Sequence, residues 1–423
     1  MAHQTSIGTV AREWARLGFT GFGGPQAHVA MLRELCVERE RWIEPDEFEH
    51  ANAACNLLPG PASTQLAIYC ALRTGGQWAA LVGGLLFIIP GLVMIIALAA
   101  ISLSSAPADW LRGVGAGAGA AVIGVVLRVG WDLSRSSLAP HEGLRRWRAV
   151  VYIAVGAISV IAVGPFVVLA LIGCGLIELI IRRAEAPPLS SFGAPALFAL
   201  LLAAVTAAST QIQLAWTALK VGALSYGGGF VIVPIMQEDA VRVYGWMTDG
   251  QFLNAVALGQ ITPGPVVQTV AVVGYAAAGL GGALLASVVA FAPSFLFVMA
   301  GGGRFLSLRN NTDARAFLDG AGPAAVGAIF GALIPLASGL SFTWQWVVAA
   351  GATALLFGAK LGVVPTLLLA AAAGAIAALL GAPLSRALEA AAARGGGPGS
   401  SLPPATGVLR IICGNSGNRT RFV

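Results

Sequence analysis

Long apolar stretches separated by short polar loops run along most of the chain. A helix that crosses a membrane needs about 20 apolar residues, with about 17 as a lower limit, so these stretches can span a bilayer. The stretches cover about 76–102, 111–131, 149–181, 195–217, 277–300, 320–338, 343–358 and 361–381. Gly164-Pro165 interrupts the stretch 149–181 and predicts a tight hairpin of two short helices there.

Glycine and proline break four further apolar segments, which could be full spans or re-entrant half-helices. They cover about 11–31, 52–72, 216–236 and 253–275. Counting every segment as a span gives about 13 crossings, and treating some as re-entrant gives about 10. The pattern predicts an all-α polytopic membrane protein with two repeats and about 10–13 transmembrane or re-entrant helices.

Composition supports a membrane protein and excludes several other classes. Hydrophobic residues make up 57% of the chain and charged residues only 10%, whereas soluble domains carry about 25% charged residues. The net charge of +6 comes with basic residues in short loops between apolar runs, which is typical of cytoplasmic membrane loops rather than of a nucleic-acid-binding surface. We therefore expect the lipid bilayer, and not nucleic acid, as a partner.

The basic loops orient the chain. The arginine-rich loops 133–148 and 182–190 are predicted to be cytoplasmic, and the N-terminus then also lies in the cytoplasm. In the loop 33–50 acidic residues outnumber arginines, and this loop is predicted to lie outside. These assignments predict a multi-pass membrane protein.

An internal repeat appears when the chain is shifted by 204 residues. Trp42, Phe48 and Glu34 then match identical residues, and Pro59-Gly60-Pro61 matches Pro263-Gly264-Pro265. A bias toward small residues would not align all of these together, so the duplication is interpreted as real.

The two copies are predicted to have opposite orientations. The loop after 76–102 has no basic residue before Arg112, whereas the loop after 277–300 contains Arg304, Arg309 and Arg315. By the charge rule, the first loop faces out and the second faces in. Inverted repeats are typical of transporters with a substrate site near the midplane.

These observations predict five segments. They are a first transporter repeat (8–135), a linking hairpin and helix (136–209), a second repeat (210–340), C-terminal transmembrane helices (341–382) and a disordered tail (383–423) rich in Gly, Pro, Ser and Ala.

Each repeat contains two backbone breaks that could bind an anion. One is glycine-rich, at 21–25 and 225–229, and the other is the Pro-Gly-Pro motif, at 59–61 and 263–265. A helix that restarts after a break presents unpaired N–H groups and the positive end of its dipole. Neutral amide and hydroxyl side chains cluster at the same places, where they could orient oxyanion oxygens. The alternative is that the prolines only produce kinks that let helices pack closely. The candidate substrate-binding residues are Gly23, Gly24, Pro25, His28, Asn56, Pro59, Gly60, Pro61, Gln65, Lys220, Gly227, Gly228, Gly229, Gln260, Pro263, Gly264, Pro265 and Gln268.

Two of these candidates carry or can carry charge. Lys220 precedes the second glycine-rich break, and an ionisable residue within a membrane is a functional candidate by default. His28 follows the first break and could line the substrate path or titrate; otherwise it is a packed polar residue.

No signature of an enzyme or an ATP-driven pump occurs in the chain. GxxxxGK[ST], HExxH and GxSxG are all absent, and the five cysteines form no CxxC pair. No cofactor and no metal site are predicted, and transport would depend on ion gradients, the membrane potential or a separate partner.

Four motifs in order resemble the chromate ion transporter family in its long, two-domain form. They are FGGPQAH (22–28), LLPGPASTQLAIY (57–69), SYGGGFVIVPIM (225–236) and QITPGPV (260–266), and the resemblance covers about residues 8–385. The resemblance implies a multi-pass protein of the bacterial inner membrane that exports chromate from the cytoplasm by secondary active transport, which gives chromate resistance.

Several alternatives stay open at this point. The cargo could be sulfate or another divalent oxyanion moved in either direction, and sulfate would otherwise be an analogue or competitor of chromate. A channel and a membrane-embedded chromate reductase are further possibilities, although the sequence has neither redox-active cysteine pairs nor a flavin site. A homodimer is also open.

Overall fold

The computed structural model describes residues 5–57, 60–104, 107–139, 141–163, 167–184, 209–225, 230–301 and 312–384. Over these ranges the chain forms α-helices and short turns and contains no β-strand, which confirms the all-α fold class. The predicted disordered tail lies almost entirely outside the described residues.

The helices fall into two series. The first series is α1 (Ile7–Thr20), α2 (Gly24–Arg33), α3 (Pro45–Leu57), α4 (Ala62–Ser102), α5 (Asp109–Leu138), α6 (Gly143–Val163) and α7 (Val167–Ala184). The second series is α8 (Thr210–Leu224), α9 (Ile232–Gln237), α10 (Asp249–Ile261), α11 (Thr269–Gly301), α12 (Thr312–Ala337), α13 (Thr343–Phe357) and α14 (Val363–Leu379). The helices α6 and α7 confirm the hairpin predicted from Gly164-Pro165, although the turn itself lies outside the described residues.

Both series contain the same rare element at the same place. A six-residue π-helical segment follows α2 at Glu34–Arg39, and another follows α9 at Glu238–Val243. These two segments are offset by the same 204 residues as the sequence repeat, and so are α3 and α10. The duplication seen in the sequence is therefore also present in the order of the elements.

Four helices of the described part of the chain are long and apolar enough to cross a membrane. They are Ala62–Ser102, Asp109–Leu138, Val266–Gly301 and Arg315–Ala337. Large apolar side chains on some of them, such as Val93 and Val288, are more than half exposed, as expected for contact with lipid. The fold is therefore that of a polytopic membrane protein.

The helix α4 is not one continuous rod. Gly76 has φ 80° and ψ −167°, a backbone conformation that favours glycine. A Cβ atom placed on Gly83 would lie 2.8 Å from the Cβ of Ala71, so the two sides of the turn pack closely together. The range 62–75 is therefore a half-length helix that lies antiparallel to the full-length helix 77–102.

The helix α11 has the same construction. The backbone is non-helical at Ala278 and Gly279. A Cβ atom on Gly274 would lie 2.4 Å from the carbonyl oxygen of Gly282, which shows that the chain doubles back there. A full-length helix, 280–301, follows the turn.

The segment that joins α1 to α3 turns back instead of crossing. Arg39 pairs with Glu13 at 2.5 Å, and the rings of Trp42 and Trp14 stack with their centroids 6.3 Å apart. The chain after the π-helical segment therefore returns to the first half of α1. The prediction that the loop 33–50 lies across the membrane from the N-terminus is wrong, because α1 and α2 form a re-entrant pair rather than one span.

The two full-length helices meet side by side at the centre. Gln77 donates from Nε2 to the carbonyl oxygen of Met299 at 3.2 Å. Two turns later in the first helix, Gly84 lies against the ring of Phe295, which is one turn earlier in the second helix. The helices 77–102 and 280–301 therefore run antiparallel.

The terminal hairpin of each series packs on a long helix of the other series. A Cβ atom on Gly156 of α6 would lie 1.9 Å from the carbonyl oxygen of Ala324 in α12, and one on Gly117 of α5 would lie 2.2 Å from that of Ala370 in α14. Small residues allow this close approach of helix backbones. This packing of each terminal hairpin on the opposite series holds the two halves together. The division of the chain into five segments stays a prediction.

A buried ionic network holds the first hairpin in place. Arg148 of α6 donates two hydrogen bonds to Glu178 of α7, at 2.9 and 3.0 Å. Arg182 joins Glu178 to Asp319 of α12. Glu178 therefore has a structural role at this helix junction.

Candidate functional site

The first break separates α1 from α2. Gly23 and Gly24 have φ values of +101° and +79°, which side chains other than glycine rarely adopt. Pro25 stands in the first turn of α2, where its missing N–H and fixed φ fit a helix start. No side chain caps this helix start, so its N–H groups are available to a ligand.

His28 links this break to the next one. The buried ring has Nε2 at 2.9 Å from the carbonyl oxygen of Gly21 and Nδ1 at 3.3 Å from Oγ of Ser63. A carbonyl only accepts, so Nε2 must carry a hydrogen, and in the neutral ring Nδ1 accepts from the Ser63 hydroxyl. His28 therefore fixes the first turn of α2 against the first turn of α4.

The second break precedes α4. Gly60 has φ +123°, and Pro61 takes the position before the first helical residue without a side-chain cap. Ser63, Thr64 and Gln65 follow in the first turn and are almost fully buried. This helix start thus carries a group of buried polar side chains.

The second series has an equivalent break. Gly264 has φ +99°, and a short 3-10 turn, Val266–Gln268, leads into α11. Gln260, Gln268 and Thr262 around this break are buried. The sequence prediction that polar side chains gather at both Pro-Gly-Pro motifs agrees with this geometry.

The breaks of the two series meet. The N–H of Gly264 donates to the carbonyl oxygen of Gly21 at 2.9 Å. Gln268 donates from Nε2 to the carbonyl oxygen of Ile88 at 2.8 Å, close to Pro90 within α4. A Cβ atom on Gly91 would lie 1.9 Å from the carbonyl oxygen of Pro263, so only glycine fits there.

A reciprocal contact occurs on the other side. A Cβ atom on Gly60 would lie 3.1 Å from Oγ of Ser294, which follows Pro293 in α11. Each Pro-Gly-Pro break therefore packs next to the proline inside the long helix of the opposite series.

Several buried polar atoms around these breaks have no hydrogen-bond partner among the described residues. They are Oγ1 of Thr64, Oγ of Ser225, Nε2 of Gln260, Oε1 of Gln268 and Oγ of Ser294. A buried polar group without a partner costs free energy, so such groups mark places where water or a ligand binds. Hydroxyl and amide N–H groups are donors suited to oxyanion oxygens.

Three of these residues were not predicted as site candidates from the sequence. Thr64 follows the first Pro-Gly-Pro motif, Ser225 begins the second glycine-rich break, and Ser294 directly follows Pro293 within an apolar run. A hydroxyl next to a proline in a membrane helix is the signal that could have identified Ser294.

Other predicted candidates lie apart or outside the described residues. Asn56 is exposed and donates to the carbonyl oxygen of Asn52 at 2.8 Å, one turn back on α3, so the structure does not bring it into the buried site. Pro59 and the glycines 227–229 lie outside the described residues.

Lys220 is part of a buried ion pair. Its Nζ atom lies 2.5 Å from Oδ2 of Asp239, and Thr217 donates to the same oxygen at 2.8 Å. The two side chains are 11% and 3% exposed. In the first series Leu35 stands where Asp239 stands in the second, so the pair exists in one half only.

Arg73, at the far end of the half-helix 62–75, is also engaged. Its guanidinium binds the carboxylate of Glu47 and holds the pKa of Glu47 below its usual value. Lys220 and Arg73 are thus neutralised by carboxylates. An anion at the breaks would depend on N–H and O–H donors and on helix N-termini. Within the described residues, no group of three His, Cys, Asp or Glu could hold a metal ion.

Comparison with known proteins decides the family. The protein-family model described as "Chromate transporter" matches this chain over residues 8–179 and 212–378. The chain belongs to the chromate transporter family. The match covers both helix series and includes every break described above, which confirms the resemblance seen in the motifs.

Several proteins named as chromate transport proteins are similar in sequence to this chain over most of its length. The Chromate transport protein of Cupriavidus metallidurans is 34% identical over 76% of the chain and 80% of its own length. The Probable chromate transport protein of Synechococcus elongatus is 32% identical, over 78% and 84%, and the Chromate transport protein of Pseudomonas aeruginosa is 31% identical, over 76% and 79%. No solved structure matches the chain.

Membership confirms that this protein is a transporter and not an enzyme, and it fits the multi-pass membrane architecture.

The Lys220–Asp239 pair makes a specific prediction about stability. Replacing Lys220 with Met leaves an uncompensated buried carboxylate, which we expect to destabilise the protein by about 3–5 kcal/mol. Thermal unfolding of the purified protein in detergent measures this. The double variant Lys220→Met/Asp239→Asn, which removes both charges, should recover most of the loss. An unchanged melting temperature in Lys220→Met alone would contradict the pairing.

Proposed function

We propose that this chromate transporter exports chromate from the cytoplasm across the bacterial inner membrane and thereby gives chromate resistance. The single observation that carries the proposal is the meeting of two broken helices, one from each series. The N–H of Gly264 joins the two breaks at Gly21, and buried hydroxyl and amide groups without partners among the described residues flank these breaks. Irregular backbone at membrane depth is tolerated where it lines a cavity or is buried in protein, and in transporters it forms substrate sites.

The proposed site binds the four oxygens of a tetrahedral dianion through neutral donors. The hydroxyls of Thr64 and Ser294 and the amide of Gln260 lack partners among the described residues. The starts of α2 and α4 add unpaired N–H groups and the positive ends of helix dipoles, each equivalent to roughly half a charge. Because no unpaired lysine or arginine is needed, the dianion can be oriented without being held too tightly to leave.

The proposed site keeps most of the residues predicted from the sequence and adds three. It consists of Gly23, Gly24, Pro25, His28, Gly60, Pro61, Gln65, Gln260, Pro263, Gly264, Pro265 and Gln268, with Thr64, Ser225 and Ser294 added. The role of Lys220 in this proposal is indirect, because Asp239 already neutralises it.

We further propose that the two repeats are inverted and that access alternates around this site. The antiparallel contact of 77–102 with 280–301 supports inversion, and so does the reciprocal packing of each break next to the proline of the opposite long helix. Inverted repeats can exchange conformations, so one half can open toward the cytoplasm while the other closes.

Secondary transport driven by the membrane potential fits this cargo. Moving one charge through 100 mV is worth about 2.3 kcal/mol, so a dianion that leaves a negative interior gains about twice that. Sulfate, another tetrahedral dianion, would compete for the same donors.

The direct test is chromate uptake into everted membrane vesicles that contain this protein. The cytoplasmic face points outward in these vesicles, so an exporter should accumulate chromate inside when respiration is energised. We expect saturable uptake that a protonophore abolishes and excess sulfate reduces.

Vesicles without the protein provide the control for leakage. Energised vesicles that hold the protein and accumulate sulfate but no chromate would identify a carrier for another oxyanion. Loss of preloaded chromate on energisation would indicate import, and non-saturating flux would indicate a channel.

The glycines of the two breaks give a second prediction. Leu at position 60 would place its Cβ atom 2.5 Å from Nε2 of Gln65, and Leu at position 264 would place it 2.9 Å from Nε2 of Gln268. Both substitutions fill the site, so we expect Gly60→Leu and Gly264→Leu each to lower chromate uptake at least about tenfold, equivalent to about 1.4 kcal/mol or more.

Gly381→Leu is the matched control, because Gly381 also has positive φ but has open space around its Cβ position. This variant should transport as the parent protein does. All three variants should insert into the membrane to similar levels. Normal transport by both site variants would overturn the site assignment.

A further inference from the structure

A cavity in the described part of the chain is lined by residues outside the proposed chromate site. It has a volume of about 350 Å³ and lies between the hairpin α6–α7, the segment from α9 into its π-helical turn, and the end of α12. Ligand sites in proteins span roughly 300–1,000 Å³, so this cavity can hold a small polar group. None of its lining residues belongs to the proposed chromate site.

The cavity lies beside the end of a helix that is long and apolar enough to cross a membrane. This helix, α12, ends at Ala337, and Ile334 and Pro335 just before its end line the cavity. The end of a membrane-spanning helix is expected near the boundary between the hydrocarbon core and the headgroup region. Ile161 and Ile334, which line the cavity, are 59% and 60% exposed, so its mouth opens on a lipid-facing apolar surface.

The polar side of the cavity carries one buried acceptor that lacks a donor, and a carboxylate next to it. Gln237 is 1% exposed and donates from Nε2 to Asp249 at 3.0 Å. Its Oε1 atom has no hydrogen-bond partner within the described ranges. The neighbouring Glu238 adds a carboxylate that is 20% exposed. A ligand that satisfies this side must bring N–H or O–H donors.

One cation completes the lining. Nε of Arg242 lies 3.5 Å from Oε2 of Glu238, longer than a good hydrogen bond, and the arginine side chain is half exposed. The guanidinium therefore keeps donors for a phosphate. The cavity thus offers a negative and a positive group next to each other beneath an apolar wall.

We propose that this cavity binds the headgroup of a phospholipid with a primary ammonium group, the phosphatidylethanolamine class. The ammonium donates to the carboxylate of Glu238 and to Oε1 of Gln237, and the phosphate accepts from Arg242. An acyl chain lies along Ile161 and Ile334. A quaternary ammonium has no N–H group, so a phosphatidylcholine headgroup leaves Gln237 unsatisfied.

Native mass spectrometry of the delipidated full-length protein tests the proposal. The protein is offered equal amounts of phosphatidylethanolamine and phosphatidylcholine with the same acyl chains. Hydrogen bonds to a charged group are worth about 1.5–3 kcal/mol, so we expect the ethanolamine lipid to be retained at least about tenfold more.

Two variants separate the parts of the site. Glu238→Gln keeps the size of the side chain but should reduce the preference for the ethanolamine lipid to near parity. Arg242→Gln should weaken both lipids to a similar extent. Glu34→Gln is the matched control, because Glu34 has the same position in the first series and is exposed.

Equal retention of the two lipids by the parent protein would overturn the proposal. An effect of Glu34→Gln as large as that of Glu238→Gln would also overturn it. Soluble phosphoethanolamine that displaces the lipid at equal concentration would show a site for a free phosphate compound instead. Unchanged melting temperatures of the variants ensure that the lipid preference, and not folding, is compared.

Discussion

Backbone that leaves a helix inside a membrane must still find hydrogen-bond partners for its N–H and C=O groups. The way in which the two helix series pack on each other follows from this requirement. The chain breaks at four places in the repeats, and each described break is covered by protein. The carbonyl oxygen of Gly21 receives the N–H of Gly264, and the carbonyl oxygen of Ile88 receives the amide of Gln268. These bonds join the two series, so neither half could keep its breaks satisfied alone.

Several charged side chains of the helices are paired with each other away from the breaks. Lys220 is neutralised by Asp239, Arg73 by Glu47, and Arg148 with Arg182 by Glu178. A fixed cation beside the site would bind a dianion strongly and slow its release. Neutral donors and helix dipoles instead give an attraction that an opening movement can reduce, which suits a carrier.

Local signals in the sequence predict much of this architecture. The Pro-Gly-Pro motifs predict the breaks around Gly60 and Gly264, because two prolines and a glycine cannot continue a helix. Gly164-Pro165 predicts the hairpin of α6 and α7, and the offset of the repeat reappears in the π-helical segments.

Features that depend on distant contacts could not be predicted in this way. Charge counting placed the loop 33–50 on the wrong side, since only the contacts of Arg39 and Trp42 with α1 reveal that α2 turns back. The pairing of Lys220 with Asp239 depends on the π-helical segment. Ser294 reaches Gly60 across more than half the chain, and no periodic pattern encodes such a contact.

If both halves share one dianion site, equilibrium binding of radiolabelled chromate to the purified protein will give a stoichiometry of one chromate per chain. Thr64→Val and Ser294→Ala should each weaken binding, and their combination should be non-additive because both side chains contact the same ion. Ser287→Ala should bind normally, because Ser287 is buried on the same helix but already donates to Ala283. Two chromates per chain, or independent effects of the two substitutions, would contradict the shared site.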